Sequence, residues 1–167
     1  MLRLVEEGGA SISLDNIAAS TNGAKSFMLD TTAGNADYVV GALSLNDGAY
    51  GDAKCWIGQT TGNGGIVFTR LFKISMLAFG RDNSGALTDN FTGVFTLQYT
   101  ATSVPLMTMG ETGDPRTGWA TLGILEYLRA GGSLFQTPWR RHVFKFTPTQ
   151  ATAIRLLVFD GKRIDLL

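Results

Sequence analysis

The chain has 167 residues, of which 44% are apolar and 17% are charged, and it contains 21 glycines but only four prolines. This length allows one domain with a sizeable core, and the many glycines predict tight turns between short strands. Fourteen basic and fourteen acidic side chains cancel, so total charge gives no reason to expect a nucleic-acid partner. A single cysteine, Cys55, excludes an internal disulfide, and no apolar run is long enough for membrane insertion.

Charge is distributed unevenly along the chain. Residues 1–60 carry three basic and seven acidic side chains, whereas residues 115–163 carry eight basic and two acidic ones. Either the two halves face each other within one domain, or neighbouring copies contact head to tail. The first residues lack the basic start and long apolar stretch of a secretory signal, which predicts a protein made without the secretion pathway.

The first predicted elements are an arm, two strands and the turn between them. Residues 1–10 contain paired glutamates and paired glycines and are predicted to be an N-terminal arm, with residues 11–167 forming one domain. The apolar residues from Ile12 to Ile17 predict a first strand. Thr21-Asn22-Gly23 predicts a turn, and residues 24–29 predict a second strand.

The loop of residues 46–56 has the composition of a calcium site. Asp47 and Asp52 supply carboxylates, and Gly48 and Gly51 let the backbone turn its carbonyl groups inward. The alternative is an empty loop that is closed by Asx-turn hydrogen bonds. Trp56, at the end of the loop, is predicted to lie in the core.

Two central strands are predicted after a glycine-rich stretch. Residues 59–65 contain three glycines and are predicted to be a flexible connection, without the strand and helix context of a phosphate-binding motif. Residues 66–72 and 74–79 are then predicted to be separate strands. In residues 95–99 apolar and polar side chains alternate strictly, which predicts a strand with one buried face.

A polar loop precedes that alternating strand. Arg81, Asp82 and Asp89 place a guanidinium and two carboxylates on one loop, where they can hydrogen-bond sugar hydroxyls or pair with each other and brace the loop. Residues 100–116 form a long loop with two prolines and two methionines, which predicts an interaction surface. Residues 118–123 are predicted to be a strand, and residues 124–132 a short helix or an extended segment.

The C-terminal part alternates aromatic and basic residues. Residues 139–146 predict a strand that has His142, Phe144 and Phe146 on one face, and residues 153–159 and 163–167 predict the last two strands. His142 is either a hydrogen-bonded structural residue or part of a site. In the second case Trp139 stacks on a sugar ring while Arg140 or His142 bonds its hydroxyl groups.

Several of these stretches together resemble one known family. The loop Leu43-Ser44-Leu45-Asn46-Asp47-Gly48-Ala49-Tyr50-Gly51 with Trp56-Ile57-Gly58, the loop beginning Gly80-Arg81-Asp82-Asn83, and the strand Phe95-Thr96-Leu97-Gln98-Tyr99 are similar to discoidin-like (coagulation factor 5/8 type C, galactose-binding-like) domains, of the variety found in bacterial and phage structural proteins. The resemblance implies an all-β, antiparallel jelly-roll β-sandwich of about eight core strands. It also implies that Asn22 and Lys25 line a site at the ligand-binding end. Leu166 stands where relatives carry a glutamate that helps to hold calcium.

The resemblance and the residues together predict a binding or structural protein and not an enzyme. One histidine and one cysteine give no visible nucleophile–base pair. The main interpretation is a phage virion component (tail, baseplate or capsid decoration) that contacts other virion proteins or copies of itself and adheres to host-surface glycans. The alternative is a lectin-like carbohydrate-binding module of a bacterial surface or secreted protein, located outside the cell or on its surface.

Overall fold

A computed structural model of the chain describes residues 16–30, 45–46, 56–58, 62–80, 93–127, 141–158 and 164–166. These residues form seven strands and one 3-10 turn at Ser20–Asn22. The strands are β1 (Lys25–Asp30), β2 (Trp56–Gly58), β3 (Gly62–Gly80), β4 (Gly93–Thr100), β5 (Ala120–Tyr127), β6 (Arg141–Val158) and β7 (Ile164–Leu166). In this part of the chain no helix has the length and apolarity to cross a membrane.

The strands form a five-stranded sheet in the order β1-β3-β6-β4-β5 and a separate β2-β7 pair. Every pairing is antiparallel, which confirms the predicted all-β antiparallel architecture. The two long strands β3 and β6 pair from Gly62 opposite Val158 to Gly80 opposite Arg141. Their register shifts twice, between Val67 and Phe72 and between Ile74 and Met76. Such bulges bend a strand and increase its twist.

The predicted flexible connection at residues 59–65 is wrong for residues 62–65. These residues begin β3 and lie between β1 and β6, and Gly64 and Gly65 are buried. A Cβ at Gly65 would overlap the carbonyl oxygen of Ile154 and lie 2.5 Å from Cζ of Phe27. Glycine is therefore required here for close approach of strands and not for flexibility. The predicted break at Lys73 is also wrong, because β3 continues through it.

One face of the five-stranded sheet carries the main hydrophobic core. Alternate residues of β3, β4 and β6 point to this face, as the twofold periodicity of a strand requires. Leu97 is fully buried at its centre. The other buried members of this core are Ala24, Ile66, Phe68, Ile74, Phe95, Phe144, Phe146, Ala151, Ile154 and Leu156.

The turn before β1 is as predicted, and of the strand predicted before it only the last residue is described. Gly23 has a φ of 81°, the left-handed conformation that favours glycine, and its N–H donates to the Ser20 carbonyl. Ile17, predicted to end a strand, lies in a turn, while Ile12 and Leu14 lie outside the described residues. The side-chain amide of Asn46 donates to the carbonyl oxygens of Ala18 and Ala24, which fixes this turn against residue 46.

The C-terminal strands follow the predictions more closely. β5 extends to Tyr127, so residues 124–127 are extended rather than helical. The described residues of two predicted strands, 141–146 and 153–158, belong to the single strand β6. The predicted last strand is β7, and Leu166 in it lies opposite Trp56 of β2.

Candidate functional site

Most of the predicted sugar-binding residues belong to two segments that adjoin one end of the β3–β6 pair. Arg81, Asp82, Asp89, Trp139 and Arg140 lie outside the described residues. The segments that contain them are attached to Gly80 and Arg141, which are directly opposite each other in the antiparallel register. The segment after Gly80 therefore begins next to the point where the segment before Arg141 ends.

His142 lies in β6, opposite Phe79. Strand alternation puts position 142 on the same face as Phe144, which is buried in the main core together with Phe146. Both interpretations of His142, as a structural residue and as part of a sugar site, stay predictions.

Asn22 and Lys25 lie at a different place on the sheet. Asn22 is exposed, and its side-chain amide donates to the Asn16 carbonyl at 2.8 Å, so part of its hydrogen-bonding capacity is used within the turn. Lys25 is exposed and lies opposite Val67 of β3. Eleven residues of β3 separate Val67 from Phe79, the partner of His142, so the register does not make these two groups neighbours.

The calcium ligands Asp47 and Asp52 lie outside the described residues. Within the part of the chain that the structure describes, no three His, Cys, Asp or Glu side chains are grouped closely enough to hold a metal ion. The pairing of Trp56 with Leu166 does place the C-terminal strand beside the end of the predicted calcium loop. A leucine side chain at that position, unlike that of a glutamate, contains no oxygen that could bind calcium.

The second face of the five-stranded sheet is covered by the connection between β4 and β5, residues 101–119. Hairpin connections are commonly two to five residues long, so this one is unusually long. Its Trp119 is fully buried and packs with Phe27 and Ala153, and Met109 packs against the same cluster. The rings of Phe27 and Trp119 are 6.1 Å apart and tilted by 51°.

Arg155 is the centre of this covered face. Its guanidinium Nε donates to Oε1 of Gln98 at 2.9 Å, and one terminal nitrogen donates to the carbonyl oxygens of Met107 at 2.9 Å and Met109 at 3.3 Å. The guanidinium also lies 4.3 Å from the centre of a Trp119 ring, a cation–π distance. One side chain of β6 thus joins β4 to three points of the connection.

Burial lowers the pKa of Arg155 to about 10, and the charge of Glu111 opposes that shift. The guanidinium nevertheless stays charged at neutral pH. Since its folded pKa lies below the ordinary value, burial of the charge costs stability at every pH below about 10 and is relieved only above it. Arg155 therefore adds no pH dependence to the stability between pH 5 and 8. The carbonyl and amide acceptors compensate for the lost hydration of its guanidinium.

Further polar groups of this face are also hydrogen-bonded, whereas the buried Oδ1 of Asn63, opposite Leu157, has no partner among the described residues. Gln98 donates through Nε2 to Oγ1 of Thr121, which donates to Glu111 at 2.6 Å. The Thr152 hydroxyl bonds the carbonyl oxygens of Thr100 and Thr102. Gln98 and Thr100 are fully buried, so the polar side of the alternating strand β4 does not face solvent there.

The outer part of the connection is fixed by its own hydrogen bonds. The indole N–H of Trp119 donates to the Leu106 carbonyl at 3.1 Å, and the Ala101 N–H donates to the Pro115 carbonyl at 2.7 Å. At the tip, Arg116 makes two side-chain hydrogen bonds to the Asp114 carboxylate, which hold the pKa of that carboxyl below its ordinary value. The connection is an ordered surface, as its predicted role in interaction requires.

Sequence reasoning missed the role of Arg155 and Gln98. A signal was present, because Arg155 is the one charged residue in the mostly apolar run from Ala151 to Phe159. A charged side chain in such a run either lies on an exposed face of the strand or is buried and paired with a polar group. Only the fold distinguishes these alternatives.

Solved structures of low sequence identity share this fold. The family 32 carbohydrate-binding module of NanJ from Clostridium perfringens, solved in complex with galactose, has a TM-score of 0.59 at 9% identity, covering 90% of this chain and 92% of that one. A second Clostridium perfringens module, CpGH89CBM32-5, solved with GalNAc-β-1,3-galactose, has a TM-score of 0.57 at 11% identity, covering 87% and 91%. A fucolectin from striped bass serum has a TM-score of 0.57 at 14% identity, covering 86% of this chain and 44% of that one.

Comparison by sequence gives no match, either to a family model or to a curated protein. At such low identities the structural likeness establishes the fold alone. The chain has the discoidin-like, galactose-binding-like β-sandwich fold that its sequence motifs predict.

Proposed function

We propose that this protein is a non-catalytic carbohydrate-binding module. The observation that carries the proposal is the fold. The structural match to a module solved with galactose covers 90% of this chain and 92% of that module. The joining of the two predicted sugar-binding segments at Gly80 and Arg141 supports it independently. Galactose and GalNAc are the first sugars to test, because they are the ligands of the similar modules.

The proposed site is formed by the segments that follow Gly80 and precede Arg141. Trp139 stacks on the apolar face of a sugar ring, and Arg140 bonds the hydroxyl groups at its edge. Arg81, Asp82 and Asp89 either contribute further hydrogen bonds or brace their loop by pairing with each other. Asn22 and Lys25 are a separate group, and their substitution tests whether the sugar reaches the β1 end of the sheet.

Binding to a glycan panel, followed by calorimetric titration with galactose and GalNAc, tests the proposal. Replacing Trp139 with alanine is expected to weaken binding about fivefold, because a stacked aromatic ring contributes about 1 kcal/mol. Gln150→Ala is the matched control, since Gln150 is an exposed residue of β6 opposite Lys73, away from the proposed site. Failure of the intact protein to bind any sugar, or equal binding by Trp139→Ala, would refute the proposal.

His142 gives a second, independent readout. Its register beside the buried Phe144 leads us to expect that His142→Ala lowers the melting temperature more than it weakens sugar binding. The reverse result would move His142 into the sugar site. Thermal unfolding and titration of the same variant separate the two roles.

The virion role predicted from the sequence remains a prediction, and the comparisons support the carbohydrate-binding interpretation more directly. We accordingly propose an extracellular or cell-surface location, with glycans as the partners. Purified particles that contain the chain in fixed stoichiometry would instead support a virion component. The calcium site at Asp47 and Asp52 is tested by adding calcium during thermal unfolding, since an ion that binds only the folded state raises the melting temperature.

A further inference from the structure

The tip of the 101–119 connection, residues 112–118, contains the one Asp–Pro peptide bond of the chain, between Asp114 and Pro115. Such a bond is sensitive to acid, because the aspartate carboxylate can attack its own main-chain carbonyl carbon while the proline nitrogen leaves as a basic secondary amine. Asp114 and Pro115 are half-buried and the neighbouring Arg116 is exposed, so solvent reaches this bond. The tip therefore combines a nucleophile, a leaving group and water.

The carbonyl oxygen of Asp114, which belongs to that bond, is surrounded by hydrogen-bond donors. The backbone N–H groups of Thr117 and Gly118 both donate to it at 3.1 Å. The hydroxyl oxygens of Thr112 and Thr117 lie 2.9 and 3.2 Å from it and 3.1 Å from each other. Each hydroxyl has one proton, so at least one of them donates to the carbonyl together with the two N–H groups. Three or more donors exceed the two lone pairs of a neutral carbonyl and suit an oxygen that gains negative charge.

Arg116 holds the carboxylate of Asp114 in one orientation. Its backbone N–H and its Nε donate to Oδ1, both at 3.0 Å, and a terminal nitrogen donates to Oδ2 at 2.9 Å. These hydrogen bonds lower the pKa of the Asp114 carboxyl, so that it stays ionised further into the acid range. Attack requires an ionised carboxylate, whereas departure of the proline nitrogen requires a proton. A lowered pKa widens the pH range in which both conditions are met.

The surrounding backbone holds both sides of the bond. The Pro115 carbonyl accepts from the Ala101 N–H at 2.7 Å and from the hydroxyl of the fully buried Thr100 at 3.1 Å. On the other side, the Thr112 N–H donates to the carbonyl of the fully buried Trp119 at 2.9 Å. β5 and β6, which follow the bond, pair with β4 and β3, which precede it. The two parts of the chain therefore stay together if the bond breaks.

We propose that the tip cleaves its own Asp114–Pro115 bond in mild acid. A carboxylate oxygen of Asp114 bonds to the main-chain carbonyl carbon, the C–N bond breaks, and the Pro115 nitrogen takes a proton from solvent and leaves as an amine. The cyclic anhydride that remains on Asp114 consumes one water molecule and becomes two carboxyl groups. Donors from Thr112, Thr117 and Gly118 stabilise the negative charge that develops on the carbonyl oxygen. The net reaction is hydrolysis of one peptide bond, once per chain, so it is tested separately from sugar binding.

Incubation of the folded protein at about pH 4, followed by denaturing electrophoresis and mass spectrometry, tests the proposal. Fragments of residues 1–114 and 115–167 are expected, and gel filtration without denaturant should show them as one species. A peptide of residues 110–120 is the reference, because it has the same bond without the fold. We expect the folded protein to cleave at least about tenfold faster than the peptide. Equal or slower cleavage of the folded protein would overturn the proposal.

Two variants distinguish assisted cleavage from ordinary acid sensitivity. Asp114→Glu keeps the charge but lengthens the nucleophile, and it is expected to lose the cleavage. The double variant Thr112→Val, Thr117→Val removes the hydroxyl donors, and we expect it to cleave about tenfold more slowly. Thr108→Val, at another exposed position of the connection, is the control and should cleave at the unaltered rate. Melting temperatures verify that each variant is folded, and an unaltered rate in the folded double variant would contradict the proposed role of the hydroxyl groups.

Discussion

The two faces of the five-stranded sheet are buried in different ways. One face is covered by apolar side chains around Leu97, whose burial is non-directional and depends on volume. The other is centred on Arg155 and Gln98, whose hydrogen bonds have fixed directions and end on named atoms of the 101–119 connection. The apolar face therefore supplies stability to the sheet, whereas the polar face determines where the connection lies.

The largest loss of stability is expected at Gly65, where β3 and β6 approach each other closely. Gly65→Ala places a methyl group against the Ile154 carbonyl and the Phe27 ring, so β3 and β6 must separate. We expect a loss of more than about 4 kcal/mol in the free energy of unfolding, the range of severe backbone and packing defects. Gly110→Ala is the control, because a Cβ there meets nothing within 4 Å. Denaturant unfolding measures both, and equal stability of the two variants would contradict this assignment of Gly65.

Matched substitutions on the two faces are expected to lower the free energy of unfolding by similar amounts. They are expected to differ in how much of the chain then exchanges faster. Leu97→Ala should cost about 3 kcal/mol and speed exchange throughout the sheet, because it leaves a cavity in the shared core. Arg155→Ala should also cost about 3 kcal/mol, since it leaves buried acceptors unpaired and removes the contact with Trp119.

Hydrogen exchange distinguishes the two substitutions. Arg155→Ala should release residues 101–119 before the rest of the sheet opens, and near-ultraviolet circular dichroism should report a changed environment of Trp119. Uniform exchange in Arg155→Ala would show that the polar face does not act as a separate anchor.

The smallest effect is expected at the exposed tip of the connection. The pKa of Asp114 is lowered by its hydrogen bonds to Arg116, so the contribution of this pair is present above the ordinary carboxyl pKa and is lost as pH falls through the folded value. Asp114→Asn should remove that acidic dependence while leaving the global melting temperature nearly unchanged. Amide chemical shifts of Thr117 and Gly118 between pH 2 and 6 measure it. A large stability change in Asp114→Asn would contradict a purely local role.

The sequence predicts this fold well wherever side-chain periodicity decides the structure. The alternation in β4, the Asn22-Gly23 turn and the last strands all carry local signals, and the structure confirms them. The glycines at positions 62, 64 and 65 predict a flexible loop, yet all three lie in β3. At Gly65 the close approach of β6 leaves no room for a side chain, and close strand packing and flexible loops select the same residue. Composition cannot distinguish these two uses of glycine.

The polar face beside the 101–119 connection was less predictable, for a different physical reason. The alternating polar residues of β4 predict a solvent-facing side, yet Gln98 and Thr100 are buried because the following connection folds back over them. That arrangement depends on Arg155, which lies 57 positions from Gln98 in the chain. Long-range polar pairing leaves no periodic signal in a single sequence.

The anchoring of residues 101–119 has a practical consequence for engineering. Arg155, Trp119 and Thr100 hold the connection through the main-chain carbonyl groups of residues 106, 107, 109 and 115. The main-chain carbonyl is the same in every residue type. The outward side chains at positions 103, 104 and 108 can therefore be exchanged without removing an anchor. A foreign epitope grafted at these positions would be displayed on a rigid support.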